Sequence, residues 1–203
     1  MSSNSSETRV RILEATWQLM EDQQGQGVRM SDIAKAAGIT RQALYLHFAS
    51  RTDLLIATTR YIDEVRGLDK RLRRWRAAKT GEDMIDAFVA FWGSYIPEIY
   101  GLAKALLAVY DSDEAAAEAW QDRMTAIKIG CQSMVEALAK EGTLSPDLTK
   151  TEATALFSTL LSVRNWEQLT VENEWSTKQY VRHMQRLIKQ TLVQPKALKD
   201  LVL

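Results

Sequence analysis

Apolar residues recur at helical spacing along almost the whole chain, and no segment alternates with the period of two that a half-buried strand needs. Val10, Leu13, Trp17 and Met20 fall at i, i+3, i+7 and i+10, an apolar stripe on a first helix over about 7–23 that Gly25 and Gly27 end. Only 3 prolines and 9 glycines punctuate 203 residues, of which 46% are hydrophobic, so disordered and fibrous classes are excluded. The expectation is an all-α globular fold.

Punctuation divides the helices. A short helix over about 30–37 carries Ile33, Ala34 and Ala37, and Gly38 follows it where a left-handed residue ends a helix most easily. Thr40 can cap the next helix, 41–47, by accepting a backbone N–H from its first turn. Helix, glycine turn and second short helix together make a helix-turn-helix. Ser50 and Asp53 start a fourth helix that reaches about 66, and Gly67 opens a second region. We therefore divide the chain into a helix-turn-helix domain, 1–66, and a larger helical domain, 67–203.

In that larger domain, Thr80 and Asp83 begin an apolar helix with Ile85, Phe88, Val89 and Trp92, and Pro97 marks its end or a kink. Ser112 or Asp113 caps a long helix to near Gly142. Thr149 with Glu152 forms a capping box for a helix to about 173, and Ser176 with Gln179 repeats it for the last, which ends before Pro195. Those two helices carry more apolar residues than one stripe requires: Leu156, Phe157, Leu160, Leu161, Val163, Trp166 and Leu169, then Val181, Met184, Leu187, Ile188 and Leu192. A second copy could bury the surplus as a four-helix bundle, or other helices of the same chain could cover it.

Charge limits the function classes. Lys plus Arg equals Asp plus Glu, 26 of each, with an isoelectric point near 6.8, so any nucleic-acid contact must be local. From Ile33 to Thr52 there are three cations, Lys35, Arg41 and Arg51, and no carboxylate. One cysteine, Cys131, and two histidines, His47 and His183, are too few for a disulfide framework or a zinc site, so no metal and no cofactor is expected. The polar N-terminus and the lack of a long apolar run place the chain in the cytoplasm, away from membranes. No phosphate loop, nucleophile elbow, helical metal-binding HExxH or paired-carboxylate arrangement points to an enzyme, and no catalytic residue is assigned.

In the stretch GITRQALYLHF, 38–48, Ile39, Ala43 and Leu44 can supply a core edge, which leaves Arg41, Gln42, Tyr45 and His47 for another side. Those side chains suit phosphates and base edges: arginine can pair bidentately with guanine, glutamine with adenine. The run MSDIAKAAGITRQALYLHFASRTDLL, 30–55, closely resembles the N-terminal helix-turn-helix of the TetR family of bacterial transcriptional regulators, with RILEATWQLM upstream continuing the match. The resemblance covers about a quarter of the chain. It rests on the glycine turn, the Tyr-x-x-Phe spacing and the cation that follows.

The resemblance implies that the third helix enters the major groove, with Thr40, Arg41, Gln42, Tyr45 and His47 as contact candidates, Tyr45 on phosphate and Phe48 in the small core. Where the family often has lysine, Arg51 keeps the charge and adds a fork suited to phosphate. Where it often has a capping threonine, Arg29 can supply the contact but not the cap, which Ser31 takes one register later. It also implies a homodimer through the last two helices, a double-stranded palindromic DNA operator as partner, and a small-molecule effector of unknown identity bound in the body. The expected function is a repressor released by that effector. An architectural or activating protein of the same fold without a ligand is the alternative, and a helical carrier or enzyme a remote one.

Each candidate has a plainer reading. His47 contacts phosphate or hydrogen-bonds to local backbone. The run 66–79 holds seven cations and one carboxylate, but Leu68, Leu72 and Trp75 suggest a helix packed on one side and solvated on the other, with Asp111, Asp113, Glu114 and Glu118 available to pair with it. Trp92, Tyr95, Tyr110, Trp120, Met124 and Trp166 are effector-pocket candidates, although single aromatics are more often core. Arg164, next to Asn165, could orient a polar effector or cross a dimer seam, and the interface or surface reading is preferred.

Overall fold

The computed structural model describes residues 2–22 and 28–194, with side chains from residue 5 onward. The elements among the described residues are all helices, joined by turns, apart from an isolated bridge between Leu144 and Val193. It falls into two compact units, 1–68 with 98–125, and 69–97 with 126–203. None of its described helices is long and apolar enough to cross a membrane.

In the first unit, helix α1 (Ser2–Asp22) buries Ile12, Leu13, Thr16 and Met20, whereas Val10 is exposed and Trp17 half-buried. The buried face is thus rotated from the predicted stripe, with Thr16 kept inside because its hydroxyl donates to the Ile12 carbonyl at 2.8 Å. The glycines expected to end this helix lie outside the described residues. Helix α2 (Met30–Ala36) buries Met30, Ile33 and Ala34. It ends as expected: Gly38 has φ +67°, its N–H donates to Lys35, and the Ile39 N–H donates to Ala34, a Schellman closure.

Helix α3 (Arg41–His47) starts where Thr40 accepts the Ala43 N–H, and it buries only Leu44. Helix α4 (Arg51–Val65), capped by Ser50, buries Leu54, Leu55, Thr58, Thr59 and Ile62. Each buried side chain of that size contributes about 1.5–3 kcal/mol when apolar, so these short helices hold through packing and not through propensity. Arg123, 8% exposed, makes a two-pronged ion pair with Asp63 at 2.7 and 2.9 Å, which satisfies a charge this buried.

The 66–79 run forms two short helices, α5 (Leu68–Arg71) and α6 (Arg73–Ala77), in place of one. Leu68, Leu72 and Trp75 are half-buried, with Trp75 against Phe88 at 5.7 Å between ring centres. Helix α7 (Gly81–Ala108) does not stop at Pro97. Pro97 is exposed, while Tyr95, Ile96, Ile99 and Leu102 around it are at most 1% exposed. Their burial outweighs the roughly 3 kcal/mol that an interior proline costs. Asp113, not Ser112, accepts an N–H, that of Ala116 at 3.3 Å, at the start of helix α8 (Glu114–Glu141).

In the second unit, the helix expected to run unbroken to about 173 is three pieces. Helix α9 (Lys150–Leu160) has the predicted Thr149–Glu152 capping box. Ser162 then caps α10 (Val163–Glu167) through the Asn165 N–H, and a π-helical turn follows at Gln168–Glu172. The last helix, α11 (Thr177–Leu192), has the Ser176–Gln179 box and buries Tyr180, Met184, Ile188 and Leu192 at four-residue steps. Its approach to α7 depends on Gly93, where an added Cβ would lie 2.6 Å from Val181 Cγ2.

Candidate nucleic-acid interface

Helix α3 is buried through Leu44 alone, so most of its perimeter is open. Its position is set from both ends: the Schellman turn and the Thr40 cap fix its start, and Phe48, 3% exposed, anchors its end. The Arg9 guanidinium lies 4.1 Å from the Phe48 ring centre and donates to the His47 carbonyl at 3.0 Å. A helix held at both ends has little freedom left to lose in any contact it makes.

Arg41, Gln42 and Tyr45 are exposed on this helix. The Arg41 guanidinium sits 5.7 Å from the Tyr45 ring centre and Nη2 is 3.5 Å from the phenol oxygen, so this i, i+4 pair presents a cation and a hydroxyl together. Leu46, an apolar residue outside the polar contact set, is 85% exposed. Its spacing of four from Gln42 places both on one face, a signal available in the sequence, and apolar side chains in this setting meet thymine methyl groups.

An open groove of about 470 Å³ brings Arg29, Arg41, Tyr45 and Arg51 together, with Ser31 and Asp113 also in its wall. Four predicted contact residues, from three helices and their flanks, therefore converge on one concavity with three guanidinium groups and one carboxylate. Such a charge balance favours an anion. Thr40 faces its own helix terminus as a cap. His47 is half-buried and lines a different groove, of about 530 Å³, with Arg9, Asp53 and Arg60.

Two local expectations differ from the structure. Arg29, not Ser31, stands at the N-cap position of α2 and makes no side-chain capping bond, and the Ser31 hydroxyl contacts Asp32 at 3.5 Å. Arg51 is not an open cation: its Nε donates to the Val28 carbonyl at 2.9 Å and its Nη1 to Asp113 Oδ1 at 2.5 Å. Asp113 thus pairs with Arg51 and not with the 66–79 run, whose Arg76 pairs internally with Asp69. Burial pushes the Asp113 carboxyl up, but Arg51 and the Ala116 and Ala115 amides together hold it below its ordinary value.

The pocket candidates lie in both units. Tyr110, Trp120 and Met124 belong to the first unit, while Trp92, Tyr95, Arg164 and Trp166 belong to the second. Trp92 and Tyr95 are each 1% exposed, the Trp92 indole N–H donates to the Leu161 carbonyl, and Tyr95 stacks on Phe91 at 5.3 Å. The Tyr110 hydroxyl accepts from Gln121 at 2.9 Å, and exposed Arg164 pairs with Glu167 at 3.2 Å. Among the described residues no group of three or more histidine, cysteine or carboxylate side chains could hold a metal.

A capped, exposed reading helix beside a cationic groove defines a helix-turn-helix module of the nucleic-acid-binding class. Residues 12–58 match the family model for bacterial regulatory proteins of the tetR family. The segment is 42% identical over 50 residues to the HTH-type transcriptional regulator AcrR of Shigella flexneri, a match spanning 25% of this chain and 23% of AcrR. The chain is similar throughout to the crystal structure of a candidate transcriptional regulator from Saccharomonospora viridis in complex with choline (TM-score 0.70, 19% identity, 93% of this chain and 99% of that one). A candidate TetR-family regulator from Rhodococcus sp. aligns with TM-score 0.71 and 22% identity over 91% of this chain and 98% of its own. The chain therefore shares the fold of these two neighbours over about nine-tenths of its length.

Proposed function

We propose that the protein is a sequence-specific DNA-binding transcriptional regulator that acts as a homodimer, represses from a palindromic operator and is released by a small-molecule effector. The observation that carries the DNA reading is the convergence of Arg29, Arg41, Tyr45 and Arg51 on one groove beside an open α3. Arg41, Gln42 and Leu46 read base edges, while Arg29, Tyr45 and Arg51 hold the backbone, with Thr40 and His47 as positioning contacts. Helices 1–66 would carry this role and 67–203 the effector and dimer roles.

Dimerisation is supported by apolar side chains left open on the last helices, Leu156 at 41% and Leu187 at 44% exposure, beside the buried Tyr180–Leu192 face. Two reading helices about 34 Å apart then recognise two half-sites. The AcrR likeness, confined to a quarter of the chain, supports the regulator reading, and the choline-bound neighbour, alike in fold, supports a body that accepts a small molecule. The dense packing of Trp92 and Tyr95 favours a second reading, a ligand-independent DNA-binding protein of the same fold.

Selection of random duplex DNA by the purified protein tests the proposal. A palindromic winner, bound by a dimer and released as salt rises, is the expected result. No enrichment would overturn the regulator reading. Arg41→Ala and Gln42→Ala should then shift the selected sequence, and release of the winner by a compound library separates the effector-controlled protein from the ligand-independent one.

A further inference from the structure

We propose that Asp113 gates the phosphate contact of Arg51, its carboxylate holding the place that a DNA phosphate oxygen takes when the protein binds its site. The inference rests on the DNA-binding reading above and adds to it a residue 62 positions away in the chain. Asp113 itself touches no DNA. It acts through Arg51.

Carboxylate and phosphate oxygens compete for guanidinium N–H groups because both are anions that accept in the fork geometry. The Arg51 Nη1–Asp113 Oδ1 contact, at 2.5 Å, lies in the wall of the groove that also presents Arg29, Arg41 and Tyr45. The two side chains keep 24% and 17% of their surface, enough for a backbone oxygen to reach the pair from the groove. Arg51 Nε stays on the Val28 carbonyl, which keeps the guanidinium aimed as its anion changes. A bound phosphate must either displace Asp113 or approach an arginine already neutralised. Either route weakens binding.

Asp113 also accepts the Ala116 N–H at the start of α8, so a merely structural role must be separated from the gate. Asparagine caps a helix as well as aspartate does but carries no charge. The experiment titrates the duplex selected above with wild type, Asp113→Asn, Arg51→Ala and the double variant at two salt concentrations, with thermal melting to confirm folding. Asp113→Asn is expected to bind about five- to tenfold tighter at low salt, with a salt slope steeper by about one phosphate contact. In the Arg51→Ala background the same change should alter affinity by less than about twofold.

Equal or weaker binding by folded Asp113→Asn, while wild type binds its site, would overturn the gate and leave the regulator reading intact. The same gain with and without Arg51 would also overturn it, because the effect would be general charge. Failure of all four proteins to bind any duplex would remove both readings.

Discussion

The indole N–H of Trp92 donates over 2.8 Å to the carbonyl of Leu161, the C-cap residue of helix α9. Both residues are 1% exposed, so neither group can turn to water instead. Replacing Trp92 with Phe should destabilise the protein by about 2–3 kcal/mol, through the stranded carbonyl and the lost volume together. Urea unfolding measures it, and a loss under about 0.5 kcal/mol would show that the bond contributes little.

Thr40 caps α3 by accepting the Ala43 N–H at 3.1 Å. Thr40→Ala should cost about 1 kcal/mol of stability, and Thr40→Ser should restore most of it. Because the cap sets the first turn that carries Arg41 and Gln42, site-specific binding should fall more than binding to random duplex. Equal losses on both duplexes would assign Thr40 a phosphate contact and not a positioning role.

The Asp113 carboxyl is held below its ordinary value of 3.8 in the folded protein. Its contribution to stability is therefore present above that value and is lost as pH falls through the lower folded one. Asp113→Asn should reduce the urea midpoint at pH 6 and narrow its deficit against wild type as pH drops below about 3.8. A deficit that stays constant down the acid limb would mean that the ion pair adds no net stability.

Leu187 is 44% exposed on α11, three residues after buried Met184 and next to buried Ile188. Under the proposed dimer, Leu187→Glu should convert the protein to monomer in light scattering while leaving its helicity unchanged. Site-specific DNA binding should then fall by at least about tenfold, since one half-site holds less than two. A dimer that survives this change would place the interface elsewhere.

The helices that local chemistry specifies stand where the sequence places them. Thr40, Ser50, Thr149 and Ser176 all cap as their side chains require, and Gly38 takes the left-handed backbone that its lack of Cβ permits. The exposure of Arg41 and Gln42 is equally legible, because a single turn of helix decides which side chains share a face with Leu44. Pro97 is different. Its local preference to end a helix is real but is outweighed by distant apolar partners that the sequence does not name.

The same limit governs the site. Side chain type and spacing determined that Arg51 carries a fork at the start of α4, four residues after the end of α3. Only tertiary packing decided that Asp113 meets it, since the two are 62 residues apart and no periodicity links them. Packing likewise decided that Trp92 and Tyr95 are closed in, and that Arg29 joins Arg41 and Tyr45 in one groove. Caps and turns are settled by interactions a few residues long, whereas ion pairs and cavities depend on which surfaces meet, which the whole chain settles only once it has folded.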